Sequence, residues 1–186
     1  MAWFFAVRPD AAARARILEA CAAWRTEHRA IEPLRWTADR KLHYTLRYLG
    51  AVDPSRLDAL VAIGRAVAAG RAPFALSMQH LGAFPSESRA KVVWLGAGAG
   101  SEELAAMARE LDASLGEVGF APDDRPFVAH LTLARLSDRV KLGPLGEAIA
   151  ARRELSLGAV RVEAIELMES RPNVDAYASL AAFPLA

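Results

Sequence analysis

An eight-residue run occurs twice in this chain, 87 residues apart, as His43-Tyr44-Thr45-Leu46-Arg47-Tyr48-Leu49-Gly50 and as His130-Leu131-Thr132-Leu133-Ala134-Arg135-Leu136-Ser137. The copies agree without a gap at His, Thr and two Leu. Only four histidines (28, 43, 80, 130) and four threonines (26, 37, 45, 132) occur in 186 residues, so a His has a Thr two places on in about 2% of cases by composition. Two hits among four histidines therefore mark a repeat. Each copy alternates apolar and polar residues, which reads as a strand, over 42–49 and 127–136. Residues i and i+2 share a face of a strand, so each His points the same way as its Thr. The repeat thus demands a fold in which two equivalent strands face one space with two imidazoles and two hydroxyls.

The rest of the chain fits two halves. A strand over 2–8 leads into a helix from Pro9-Asp10 with Ile17, Cys21 and Trp24 on one face, fading near His28. A short strand follows at 34–37. Asp53-Pro54-Ser55 caps a second helix with Leu57, Leu60, Val61 and Gly64 on one side, ended by Gly70. A strand from Phe74 to Met78 runs into a turn-rich loop, His80 to Ser86, and residues 92–96 form another strand. A helix follows with Leu104, Met107, Ala108 and Leu111 on one side. The loop 122–126 precedes the second His strand. A helix over 144–151 and strands at 160–169 and 176–181 complete the chain. A repeat this long is no solenoid unit. It predicts an α+β fold of mainly antiparallel sheets, as one domain of two similar lobes related by a pseudo-twofold axis.

Composition narrows the setting. The apolar fraction of 53% is ample for a core, and the net charge of +1 is too small for bulk nucleic-acid binding. Of 23 basic residues 20 are Arg, the better side chain for bidentate phosphate contact. The lone Cys21 excludes an intrachain disulfide and a cysteine metal cluster. Residues 1–8 lack the basic start and the apolar length of a signal peptide, and no apolar run reaches the ~20 residues of a membrane span. These features predict a cytoplasmic protein with no membrane partner.

A histidine pair can divide the work on a phosphodiester, one taking a proton from attacking water and the other giving one to the departing alkoxide. The threonine hydroxyls would hold the phosphoryl oxygens, where charge builds. No HExxH, cysteine cluster or carboxylate at ligand spacing accompanies either His, so no metal is expected. Arg47 shares strand parity with His43 and is expected to face the same space. Arg135 has the opposite parity to His130 and reaches the site only if the strand bends. Trp36, Phe84 and Phe127 are candidates for stacking on a base. His28 reads as a helix-end residue and His80 as part of a loop.

The motifs resemble those of the 2H phosphoesterase superfamily, in particular the RNA 2′,3′-cyclic phosphodiesterases, also called 2′-5′ RNA ligases. The likeness spans Trp3-Phe4-Phe5-Ala6-Val7, the first octet, Leu81-Gly82-Ala83-Phe84-Pro85, Val93-Trp94-Leu95-Gly96, and Arg125 through Arg135. It ends with Glu169-Ser170, Tyr177 and Phe183-Pro184-Leu185. It implies a V-shaped cleft between the lobes, with outer helices and no cofactor. It also implies hydrolysis of a terminal 2′,3′-cyclic phosphate of RNA, or of an oligonucleotide, to a 2′-phosphate by a monomer. His43 would be the general acid and His130 the general base. Thr45 and Thr132 would hold phosphoryl oxygens, and Arg135 would contact phosphate. Two departures bear on substrate choice. Val128-Ala129 stand where the family often has Arg-Pro, and Arg171 through Ala176 replace the usual Gly-Pro before Tyr177. The same motifs would serve a 2′-5′ oligonucleotide, a cyclic nucleotide, a small cyclic phosphate, reversible 2′-5′ ligation, or a non-catalytic RNA-end binder.

Overall fold

In a computed structural model, which describes residues 1–137, 141–172 and 174–186, the repeat is visible in the order of the elements. Strand β1 (Ala2–Val7), helix α1 (Ala11–Glu27) and the two-residue β2 (Arg35–Trp36) precede β3 (Tyr44–Gly50), α2 (Leu57–Ala68) and β4 (Phe74–Phe84). Then come β5 (Val92–Ala97), α3 (Ser101–Glu117), β6 (His130–Arg135), α4 (Leu142–Ala150), β7 (Ser156–Val162), β8 (Ala164–Ser170) and β9 (Ala178–Pro184). The run β1-α1-β3-α2-β4 has its counterpart in β5-α3-β6-α4-β8.

Every ladder is antiparallel, and the strands line up as β7-β4-β5-β6-β3-β1-β8-β9, with β2 beside β6. This order reads the same from either end once each element is exchanged for its counterpart. The predicted pseudo-twofold therefore passes between β6 and β3. The two halves exchange a strand, since β4 pairs with β5 of the second half and β8 with β1 of the first. The expected antiparallel sheets run together as one curled sheet, in which β3 and β6 pair at Tyr44↔Leu131.

The helices cover one face. Ala13, Ile17 and Trp24 of α1, Leu60 and Val67 of α2, and Leu104, Met107, Leu111 and Leu115 of α3 are buried against Phe5, Val7, Leu46, Leu95 and Leu131. The Asp10 carboxylate caps α1 by accepting from the Ala13 amide at 2.7 Å. Cys21 sits in this packing, and burial pushes its thiol up to about 12, leaving it unreactive. The opposite, helix-free face carries a small separate cluster of Phe4, Ala6 and Met168 with Tyr177 packed on it.

Gly64 lets Phe183 of β9 lie flat on α2, and a Cβ there would come within 2.3 Å of the ring. Gly64→Ala should therefore destabilise the protein by about 1–3 kcal/mol through overpacking, despite alanine's better helix propensity. A urea melt that shows no loss would contradict this contact.

Two element boundaries differ from the sequence reading. His80 lies inside β4, not in a loop, at a ladder irregularity where it takes a left-handed backbone (φ 68°) as β4 passes between β7 and β5. The single strand expected over 160–169 is two, β7 and β8, broken at Glu163 and placed in opposite halves of the sheet.

Candidate active site

The pair between the two octet strands decides which side chains meet. Tyr44 and Leu131 stand opposite each other and are both fully buried toward the helices. Their neighbours His43, Thr45, His130 and Thr132 consequently share the helix-free face, all half-buried. Continuing the register sets His43 across from Thr132 and Thr45 across from His130. Cross-strand neighbours have Cβ atoms about 4.5–5.5 Å apart, so the four groups border one phosphate-sized space.

Both imidazoles are anchored in the same way. His43 Nδ1 donates to the Lys41 carbonyl at 2.6 Å, and His130 Nδ1 donates to the Val128 carbonyl at 2.8 Å. A carbonyl only accepts, so the proton of each neutral ring sits on Nδ1 and Nε2 is left as the base. His43 Nε2 accepts from the Thr45 hydroxyl at 2.9 Å. Burial pushes the His43 imidazolium down to about 4 against the pull of the Lys41 carbonyl, helped by the positive charges of His130, Arg8 and Arg135. Burial likewise lowers His130, opposed by its bond to Val128 and helped by Arg135.

The arginines fall out differently from their strand parity. Against β1 the register of β3 slips between Thr45 and Arg47, and against β5 that of β6 slips between Thr132 and Ala134. Leu46 and Leu133 are thus equivalent one-residue bulges. Each turns the following residues over. Arg47 now stands opposite Phe5 on the helix side, 9% exposed. There it donates to Asp112 Oδ1 (2.7 Å), to the Tyr48 carbonyl (2.7 Å) and to the Ala121 carbonyl. The expectation that Arg47 faces the histidines is therefore corrected. The same slip brings Arg135 onto the helix-free face, close enough to act on His43, His130 and Tyr177. Tyr48, its counterpart, stands opposite Phe4 and is 57% exposed.

Aromatic rings flank each imidazole. Phe4 and Tyr177 lie 4.9 and 5.2 Å from His43, the latter edge-on. Phe84 stands edge-on to His130 at 4.9 Å, and Trp94 lies 6.5 Å away. Trp94 in turn rests on Gly82, where a Cβ would meet its ring at 2.3 Å. Phe84 thus packs on a histidine and Trp36 packs edge-on to Trp24 in the core at 5.8 Å. Phe127 lines an open pocket of about 310 Å³ beside His130, together with His80, Trp94, Ser101, Glu102 and Val128. His28 caps the C-terminus of α1 through its amide. His80 has Gln79 on its Nε2 at 3.0 Å and lies outside the histidine pair.

Among the described residues no three His, Cys, Asp or Glu side chains come together as a metal site, and no helix is long and apolar enough to cross a membrane. Phe4 and Trp94 stand in apolar segments with no polar motif of their own, and their places opposite the octet strands bring them to the site. The carbonyls of Lys41 and Val128, which set the tautomers, leave no trace in side-chain identity.

A family model of the 2′-5′ RNA ligase superfamily matches residues 9–173. The chain is 33% identical over 139 residues to an RNA 2′,3′-cyclic phosphodiesterase of Aeropyrum pernix, covering 74% of this chain and 77% of that one. A crystal structure of TT0787 of Thermus thermophilus superposes with a TM-score of 0.79 at 27% identity, over 100% of this chain and 98% of that one. Escherichia coli LigT complexed with 3′-AMP superposes with a TM-score of 0.75 at 26% identity, over 99% and 97%.

Proposed function

The chain belongs to the 2′-5′ RNA ligase superfamily, and from that premise we propose that it hydrolyses RNA 2′,3′-cyclic phosphate ends to 2′-phosphomonoesters without a metal. The observation that carries the reading is the matched pair of Nδ1-anchored imidazoles presenting Nε2 to one face between two threonines. His130 Nε2 takes a proton from water as its oxygen attacks phosphorus. The bond from phosphorus to the 3′-oxygen breaks, and the His43 imidazolium gives that oxygen its proton. Thr45 and Thr132 donate to the phosphoryl oxygens, and Arg135 adds positive charge where the transition state gathers negative charge. When His43 is charged its Nε2 carries a proton, which it gives to the 3′-oxygen, and no longer accepts from Thr45, which frees the hydroxyl proton for the phosphate. The bound anion favours the imidazolium and offsets the effect of burial. Phe127 stacks on a base in the pocket beside His130. The protein acts as a cytoplasmic monomer.

The pocket lined by Phe127, Val128 and Ala129, the residues leading into His130, also favours a second reading. A nucleoside 5′-hydroxyl held there in place of water would give reversible 2′-5′ ligation through the same transition state.

Turnover of a nucleoside 2′,3′-cyclic phosphate in EDTA, with the product assigned as the 2′-phosphate by phosphorus NMR, tests the reaction. Loss of activity in EDTA, a 3′-phosphate product, or tight binding without turnover would overturn it. The pH profile tests the site. Above the higher of the two pKa values both rings are neutral and the acid is missing. Below the lower one both are charged and the base is missing. Both values are pushed below the ordinary 6.5, His43 to about 4, so kcat/KM should trace a bell whose alkaline limb already falls below pH 6.5. An alkaline limb above pH 7.5 would be incompatible with two buried, depressed histidines.

A further inference from the structure

Strand β2 is only two residues long, yet it sets one arginine directly opposite another, Arg35 against Arg135. Its other residue, Trp36, stands opposite the fully buried Ala134 and packs on Trp24, so Arg35 shares the helix-free face with Arg135. Like charges facing each other across a strand pair repel and destabilise the sheet unless an anion lies against them. Nine arginines are in ion pairs among the described residues, and neither Arg35 nor Arg135 is one of them. Arg35 Nη2 donates to the Leu136 carbonyl at 3.0 Å. That bond draws the guanidinium one residue past Arg135, on the side away from His130. Along β6 the face thus presents His130, Thr132, Arg135 and then Arg35, a row of phosphate-binding groups longer than one phosphate needs.

We propose that Arg35 binds the first internal phosphodiester of the RNA strand whose cyclic end lies between the histidines. The preferred substrate is then an oligonucleotide end, with a mononucleotide leaving Arg35 idle. The guanidinium fork suits a phosphodiester, with Nη2 oriented by Leu136 and the other N–H groups turned to the anion. The inference rests on the cyclic-phosphate reading, and its test separates the two.

The probes are a nucleoside 2′,3′-cyclic phosphate, a dinucleotide with the same cyclic end, and that dinucleotide with its internal phosphodiester replaced by a neutral methylphosphonate. Wild type should prefer the dinucleotide over the other two. Arg35→Ala should lose about tenfold in kcat/KM on the dinucleotide, in KM more than kcat, with the mononucleotide unchanged and the methylphosphonate indifferent to the substitution. Its salt dependence on the dinucleotide should flatten by about 0.7 in the logarithmic slope. Unchanged mononucleotide turnover shows that the variant folds, and Arg35→Lys should recover part of the loss. Equal losses on all three probes, or none on the dinucleotide, would overturn the role of Arg35. Wild type inert toward the mononucleotide and the dinucleotide alike would overturn the cyclic-phosphate reading itself.

Discussion

His43→Ala and His130→Ala should each lower kcat on a 2′,3′-cyclic phosphate by about 10² to 10⁴, the range a positioned acid or base supplies. The double variant should be scarcely worse than either single one, because an acid and a base acting in one step do not contribute additively. Neither ring holds the fold together. His130 bonds only the Val128 carbonyl two residues away, and His43 bonds only Lys41 and Thr45, each two residues away, and packs on Phe4 and Tyr177 on the helix-free face. Thermal melts of both variants should therefore stay within a few degrees of wild type. The two roles separate with the leaving group. A diester that expels a phenolate of low pKa needs little protonation. His43→Ala should then lose much less on it than on the cyclic phosphate, and His130→Ala should lose the same on both. The reverse pattern would exchange the acid and base labels. Turnover near wild type in either variant would remove the two-histidine mechanism.

The part of this site written in the sequence is the part set by local period. His43 with Thr45 and His130 with Thr132 share a face because strands alternate, and no distant partner is needed to know it. The element order, the cap at Asp10 and the apolar helix stripes were legible for the same reason. What escaped depends on partners far along the chain. A bulge is a count of two residues against one, and Leu46 and Leu133 look like any strand leucine until β1 and β5 are laid beside them. So Arg47 and Arg135 exchange the faces that parity assigned them. The break at Glu163 was equally hidden. The apolar phase slips there by only one residue, from Val160 and Val162 to Ile165 and Leu167, with no Gly or Pro, and pairing with β4 on one side and β1 on the other separates β7 from β8. His80 reads as a loop residue because its left-handed backbone belongs to a strand that must serve two neighbours. Burial, which governs both imidazoles, likewise comes from packing that a lone octet does not contain.

The exchanged arginines give the second large effect, as opposite outcomes for two residues that the repeat places one step apart. Arg47→Ala should cost stability. Its guanidinium ties β3 to Asp112 of α3 and to the Ala121 carbonyl, and Asp112 also accepts from the Asp123 amide at 3.1 Å in the loop leading to His130. Removing it strands a part-buried carboxylate and two carbonyls. Breaking a fully buried pair costs about 3–5 kcal/mol, and the partial exposure of Asp112 reduces this to about 2–3 kcal/mol. For a chain of this length that lowers Tm by about 5–10 °C. Well below the transition, kcat/KM should stay within a few-fold of wild type, because the side chain faces away from the histidines. Arg135→Ala should do the reverse. It is exposed and has no ion pair among the described residues, so Tm should hardly move. Loss of a charged contact to phosphate should cost about 10- to 100-fold in kcat/KM. Removing its charge also relieves both imidazoles, so the alkaline limb of the bell should move to higher pH. Full stability with lost turnover in Arg47→Ala would mean that β3 carries no bulge at Leu46. An unshifted limb in Arg135→Ala would mean that the bulge at Leu133 does not bring Arg135 to the histidines.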